Sequence, residues 1–198
     1  MDKIIAITNR KLCNENFYSR IERLANSGVN AIILREKDLN PYEYITLADK
    51  AIDVCRGYGT EIILHNFIDV AKELNHRKIH LPISKLNTQD RFEILGVSCH
   101  SLEELRIAEK HNANYITFGH VFNTNCKKDL SPRGLDSLEK ICENSNLPVY
   151  ALGGITPYNC KSVMKAGSKG IAIMSSAMEV ENPAVLIKEF RKIKIWVI

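Results

Sequence analysis

Residues 4–11, Ile4-Ile5-Ala6-Ile7-Thr8-Asn9-Arg10-Lys11, decide between two folds. The run Ile4–Thr8 reads as a strand, and a polar turn follows at once. A doubly wound open sheet typically opens with a G-x-G-x-x-G turn after its first strand, where glycines admit a pyrophosphate. No glycine stands here. The stretch therefore reads as the first strand of the other common parallel architecture, a closed ring of strands wrapped in helices.

Working outward, seven further runs carry the same signature: Ala31–Leu34, Glu61–Leu64, Ile79–Leu81, Leu95–Ser98, Tyr115–Phe118, Val149–Leu152 and Gly170–Met174. Most are continuously apolar rather than alternating, as parallel strands covered by helices require. The segments between them are helical. Phe17, Ile21, Leu24 and Ala25 form one stripe over 17–26. Asn40-Pro41 predicts a capped start, with Gly57 as the stop, and Ser101 with Glu104 predicts a capping box. Thr156-Pro157 predicts another helix start. The expected fold is α/β: a compact (β/α)8 TIM barrel, one domain over 1–198.

Composition excludes several classes. With 45% hydrophobic and 25% charged residues the chain is ordinary globular material. Its formal charge of +4 comes without a basic run, so no nucleic-acid partner is expected. No apolar stretch has the length of a membrane span, and the N-terminus enters a strand without a signal-peptide core. Six scattered cysteines make no C-x-x-C pair and no zinc spacing, and Cys55 and Cys99 fit core positions. A cytoplasmic protein is the expectation.

Barrel chemistry gathers at the C-terminal ends of the strands. After the seventh lie Gly153-Gly154, which let backbone amides approach a ligand, and after the eighth Ser175-Ser176 open a helix. Together they form a candidate phosphate site. After the second strand, Arg35 and Lys37 alternate to the same side and could hold a phosphate or carboxylate. Surface pairing with Glu36 and Asp38 is the competing reading.

Among six histidines, His76 and His111 fall in polar helical stretches, and His80 fits the barrel interior. His65 and His100 sit near strand ends. His120, freed by Gly119 before it, is best placed to exchange protons. It opens the long connection FGHVFNTNCKKDLSPRG, 118–134, whose 123–133 segment reads as a mobile cationic cover. No two carboxylates occupy neighbouring strand ends, so a carboxylate magnesium site is not expected. No G-x-S-x-G elbow occurs.

The blocks LREKD, GVSCHS, ANYITFGHVFNTNCKK, YALGGITPYN and GIAIMSSAM, in this order along nearly the whole chain, resemble the thiamine phosphate synthase/TenI superfamily. Two activities follow from that resemblance. Synthases join a pyrimidine diphosphate to a thiazole phosphate with magnesium, which aspartates after the third and fourth strands hold. Here those positions read His65-Asn66-Phe67 and Leu81-Pro82-Ile83-Ser84. The TenI branch, the thiazole tautomerases, aromatises a thiazole carboxylate phosphate by moving a proton.

The missing aspartates and the histidine of Gly119-His120 make metal-free tautomerisation the expectation, with His120 as the proton-transfer residue. Arg35, Lys37, Gly119, Gly153, Gly154, Ser175 and Ser176 would bind substrate, with Thr124, Lys127 and Arg133 as loop contacts. No cofactor is then needed, and magnesium enters only under the synthase alternative. A non-catalytic binding or regulatory protein is the third reading. The implied partner is a small phosphorylated thiazole, and the superfamily implies a homodimer, with the apolar tail IKIWVI at an interface or the barrel bottom.

Overall fold

The computed structural model describes residues 3–87, 89–127 and 130–193. Eight parallel strands close into a barrel in chain order. They are β1 (Lys3–Ile7), β2 (Ala31–Leu34), β3 (Glu61–His65), β4 (Lys78–Pro82), β5 (Ile94–Cys99), β6 (Tyr115–Gly119), β7 (Val149–Leu152) and β8 (Gly170–Ile173). Each expected strand is present within two residues of its predicted ends. Closure runs through β1 and β8, where Lys3 pairs with Gly170 and Ala6 with Ile173.

The helices are α1 (Phe17–Asn26), α2 (Pro41–Cys55), α3 (Ile68–Glu73), α4 (Leu102–Lys110), α5 (Gly134–Asn144), α6 (Cys160–Lys165), α7 (Ser175–Glu179) and α8 (Pro183–Arg191). Among the described residues, no helix is long and apolar enough to cross a membrane. Local chemistry sets their ends. The Asn16 side chain accepts the amides of Tyr18 and Ser19 at 3.0 and 3.2 Å, which starts α1. Asn40 and Glu43 cap α2 reciprocally, with Pro41 at its first turn.

The start expected at Ser101 is present with half of its capping box, and the one expected at Thr156 differs. Ser101 accepts the Glu104 amide, but the Glu104 carboxylate takes the His100 amide and ring nitrogen instead of completing the box. Thr156-Pro157 lies in a turn, because Asn159 accepts the Thr156 amide at 2.8 Å and donates to the Gly154 carbonyl at 2.9 Å. That closed turn delays α6 to Cys160. The tail IKIWVI lies outside the described residues from position 194 onward.

Strand alternation sorts the apolar residues into two cores. Ile4, Ile32, Leu64 and Phe118 face the helices, while Ile5, Ile7, Ile33, Ile63, Tyr115 and Tyr150 fill the barrel interior. Cys55 and Cys99 are buried in the outer core, as their pattern predicts. Inside, register places Gly96 between His80 and Tyr115. A β-carbon at Gly96 would collide with both rings, so the missing side chain is what admits them. We expect Gly96→Ala to lose about 1–3 kcal/mol through overpacking. Urea unfolding measures it, and an unchanged midpoint would contradict this account of the interior.

Candidate active site

A cavity of about 1030 Å³ opens at the C-terminal rim and draws lining residues from all eight strands or the loops that follow them. Arg35 and Lys37 both face it, as alternation beyond β2 requires. Glu36, between them, turns the other way and is almost wholly buried. Its carboxylate accepts the Thr8 hydroxyl at 2.6 Å and the Arg10 amide at 3.0 and 3.1 Å. The Thr8 hydroxyl oxygen in turn accepts the Arg35 amide at 2.9 Å, tying the ends of β1 and β2 together.

Asp38 pairs with Arg10 at 2.6 Å and Lys11 at 2.9 Å. Hydrogen bonds from Arg10 and then Lys11 hold its carboxyl well below the usual range. The acids of LREKD are thus neutralised by the β1 loop, and its cations are left to the cavity. Burial lowers the Arg35 pKa. Burial, then the charges of Arg35 and Lys127, lowers that of Lys37. Those mutual effects mark three converging cations.

The floor is made of neutral imidazoles. His80 contacts the Tyr115 hydroxyl at 3.1 Å and the Ser98 hydroxyl at 2.8 Å through its two ring nitrogens. His65 lies beside it, with near-parallel rings and centroids 6.0 Å apart. Burial pushes the His80 pKa down to about 3. Burial, then the neighbouring positive charges, takes His65 to about 2. His76 is half-buried rather than solvated, since its Nε2 meets the Ile62 carbonyl at 2.9 Å. His111 is exposed at the end of α4. His100 reaches the rim of the cavity.

The connection after β6 is tied down at both ends. The His120 ring meets the Leu130 carbonyl through Nε2 at 3.1 Å, so that nitrogen is the donor. The Arg133 amide donates to the His120 carbonyl, and the Arg133 guanidinium donates to that of Gly119. His120, Thr124 and Lys127 line the cavity, while Arg133 does not and instead braces the loop. Lys128 lies outside the described residues.

Gly153 and Gly154 line the cavity with φ of 100° and 65°. A β-carbon on Gly153 would strike His120, and one on Gly154 would strike Phe122 and Asn123. The pair therefore lets the β7 loop lie against the β6 loop, besides offering amides to a ligand. Ser175 and Ser176 begin α7 on the same wall. Missed in the sequence were the buried role of Glu36 and the opening at Gly96. Period-two counting from Gly96 to Ser98 could have flagged the interior glycine.

The thiamine monophosphate synthase family (TMP-TENI) matches residues 4–177. The chain belongs to that family. An Aquifex aeolicus protein whose name also points to thiamine-phosphate synthase is 35% identical over 90% of this chain and 99% of its own length. The thiamine-phosphate synthase of Methanobrevibacter smithii is 30% identical over 93% of each. The solved thiamine phosphate pyrophosphorylase of Pyrococcus furiosus superposes with a TM-score of 0.82 at 30% identity, covering 96% of this chain and 94% of the other.

These relatives correct the expected branch. The tautomerase reading is overturned, because proteins this similar over nearly their full length carry the synthase name. It rested on His120 and on absent aspartates. The His120 Nε2 is engaged by Leu130, so a histidine here has a loop-holding task that does not require proton transfer. The family supports an enzyme, and within it a transferase rather than an isomerase.

The synthase branch also implies magnesium, and the donors here do not fit it. Magnesium takes oxygen ligands in a near-octahedral shell, usually through one or two carboxylates. Of the described residues lining the cavity, Glu179 alone is acidic. Among the described residues, no three His, Cys, Asp or Glu gather as a metal site. His65 and His80 offer imidazoles where hard oxygens are wanted.

The floor predicts a pH dependence of stability. Unfolded histidine titrates near 6.5, so from there down to about 3 the unfolded chain binds protons that buried His65 and His80 refuse. Stability is full above about 6.5 and falls with pH by about 1.4 kcal/mol per unit for each histidine. His65→Phe should remove one histidine's share of that slope in urea unfolding between pH 7.5 and 5. An identical slope in the variant would contradict the assignment.

Proposed function

We propose that this chain is a thiamine-phosphate synthase, joining a pyrimidine diphosphate to a thiazole phosphate with release of pyrophosphate. The observation that carries the reading is a single cavity of about 1030 Å³ lined by two sets of anion-holding groups. That volume is at the upper end for small-molecule sites and suits two heterocyclic substrates side by side. One set is the Gly153-Gly154 turn and the amides of Ser175 and Ser176, suited to the single phosphate of the thiazole. The other is Arg35, Lys37 and Lys127, suited to the diphosphate.

The chemistry follows from those two sets. As the new bond joins the two rings, the bond to the diphosphate breaks and its electron pair leaves on pyrophosphate. Fixed cations beside the departing oxygens stabilise that charge more in the transition state than in the substrate. Arg35 supplies a planar fork and Lys37 a compact charge, and both are pre-positioned because Glu36 and Asp38 are occupied elsewhere. The loop held by His120 and Arg133 carries Lys127 to the same set and limits water access. His120 acts here as the latch of that loop.

Incubating the protein with both substrates, with and without magnesium, should yield thiamine phosphate. Arg35→Ala and Lys37→Ala should each lower kcat/KM on the order of a hundredfold. The exposed Lys110→Ala should stay within about twofold of wild type. Tight binding of thiazole phosphate with no product under any condition would refute the reading in favour of a non-catalytic role.

A further inference from the structure

His65 stands where the magnesium donors do not fit, and its ring is unusual. Its Nδ1 is sealed inside the protein with no hydrogen-bond partner. A buried N–H without an acceptor is the costlier and rarer kind of orphan, so the sealed nitrogen is the bare one. The ring is neutral, because burial and the neighbouring charges oppose protonation. A neutral imidazole carries one proton, which therefore sits on Nε2. Nε2 is the nitrogen left for the cavity wall that His65 forms. The side chain thus offers the ligand a donor with no net charge.

The neighbours fix that orientation. His80 uses one ring nitrogen on Tyr115 and the other on Ser98, so it has no bond to lend His65. The His65 amide donates instead to the Tyr44 hydroxyl oxygen at 2.9 Å, which anchors the backbone of the strand end. Arg35 and Lys37 line the same cavity, and their charges reach the ring. A ligand that places anionic oxygens between those cations and the floor meets donors from both sides.

We propose that His65 Nε2–H donates directly to an oxygen of the diphosphate or pyrophosphate held by Arg35 and Lys37, so that this chain binds that anion without a divalent cation. A carboxylate in this wall would need a metal to bridge it to a phosphate oxygen, since both are acceptors. An imidazole donor needs none. The proposal rests on the synthase reading for the identity of the anion, and its binding test is independent of turnover.

Calorimetric titration of the full chain with inorganic pyrophosphate in EDTA should show binding, with an affinity within about twofold of that in excess magnesium. His65→Phe keeps a ring of similar size and should weaken pyrophosphate about tenfold, the range for one bond to a charged acceptor. Magnesium should not restore it. Should that variant fold poorly by circular dichroism, nitrogen-15 spectra of the wild-type histidines give the same answer. The His65 Nε2 should carry the proton and shift on adding pyrophosphate.

Binding that requires magnesium, a His65→Phe affinity equal to wild type, or a His65 ring protonated at Nδ1 would each overturn the proposal. If pyrophosphate binds through His65 in EDTA but no thiamine phosphate forms, the synthase reading falls and the His65 contact stands. If product forms but pyrophosphate binds only with magnesium, the synthase reading stands and the proposal falls.

Discussion

Closure of the strand ring between β1 and β8 is the constraint on which the rest depends. Without a free edge, every second side chain must enter one narrow interior, and that space has to be filled from all sides at once. Apolar residues of β1, β2 and β3 fill much of the lower part. On the opposite side, Tyr115 and His80 occupy the volume that Gly96 leaves open. Their polar atoms satisfy one another and Ser98, which is the condition for burying them. The floor of the cavity is therefore a product of barrel packing before it is a feature of binding.

Above that floor, charge is sorted by the same alternation. Arg35 and Lys37 point inward, and Glu36 between them points into the wall. The buried carboxylate is tolerable because Thr8 and Arg10 give it several donors. Asp38 is held by Arg10 and Lys11 at the surface. An apparently balanced motif thus becomes a cationic face toward ligand and an acidic clamp behind it. The clamp joins β1 to β2 and fixes the backbone from which Arg35 projects.

The contrast between the two activities shows how little a local motif determines. Gly119-His120 matches the tautomerase pattern, yet the ring bonds to Leu130 ten residues on and steadies the loop. Gly153 and Gly154 read as a phosphate turn, and they also make room for that loop against β7. Each motif serves packing and ligand together. Similarity along most of the chain weighs more than one residue type, because it samples the cavity wall from every strand.

The sequence by itself determined the strands, the helices α1, α2 and α4, and the barrel. Those depend on local periodicity and caps, such as the Asn16 and Asn40 side chains, which need only near neighbours. It also placed Arg35, Lys37, His120, Gly153 and Ser175 at strand ends, and all five line the cavity. Only the tertiary structure decided which acid answers which cation, since Glu36 and Arg10 are 26 positions apart. It alone paired His120 with Leu130, braced Arg133 on Gly119 and sealed one face of His65. Such contacts are set by strand register and ring closure, which no short window of residues contains.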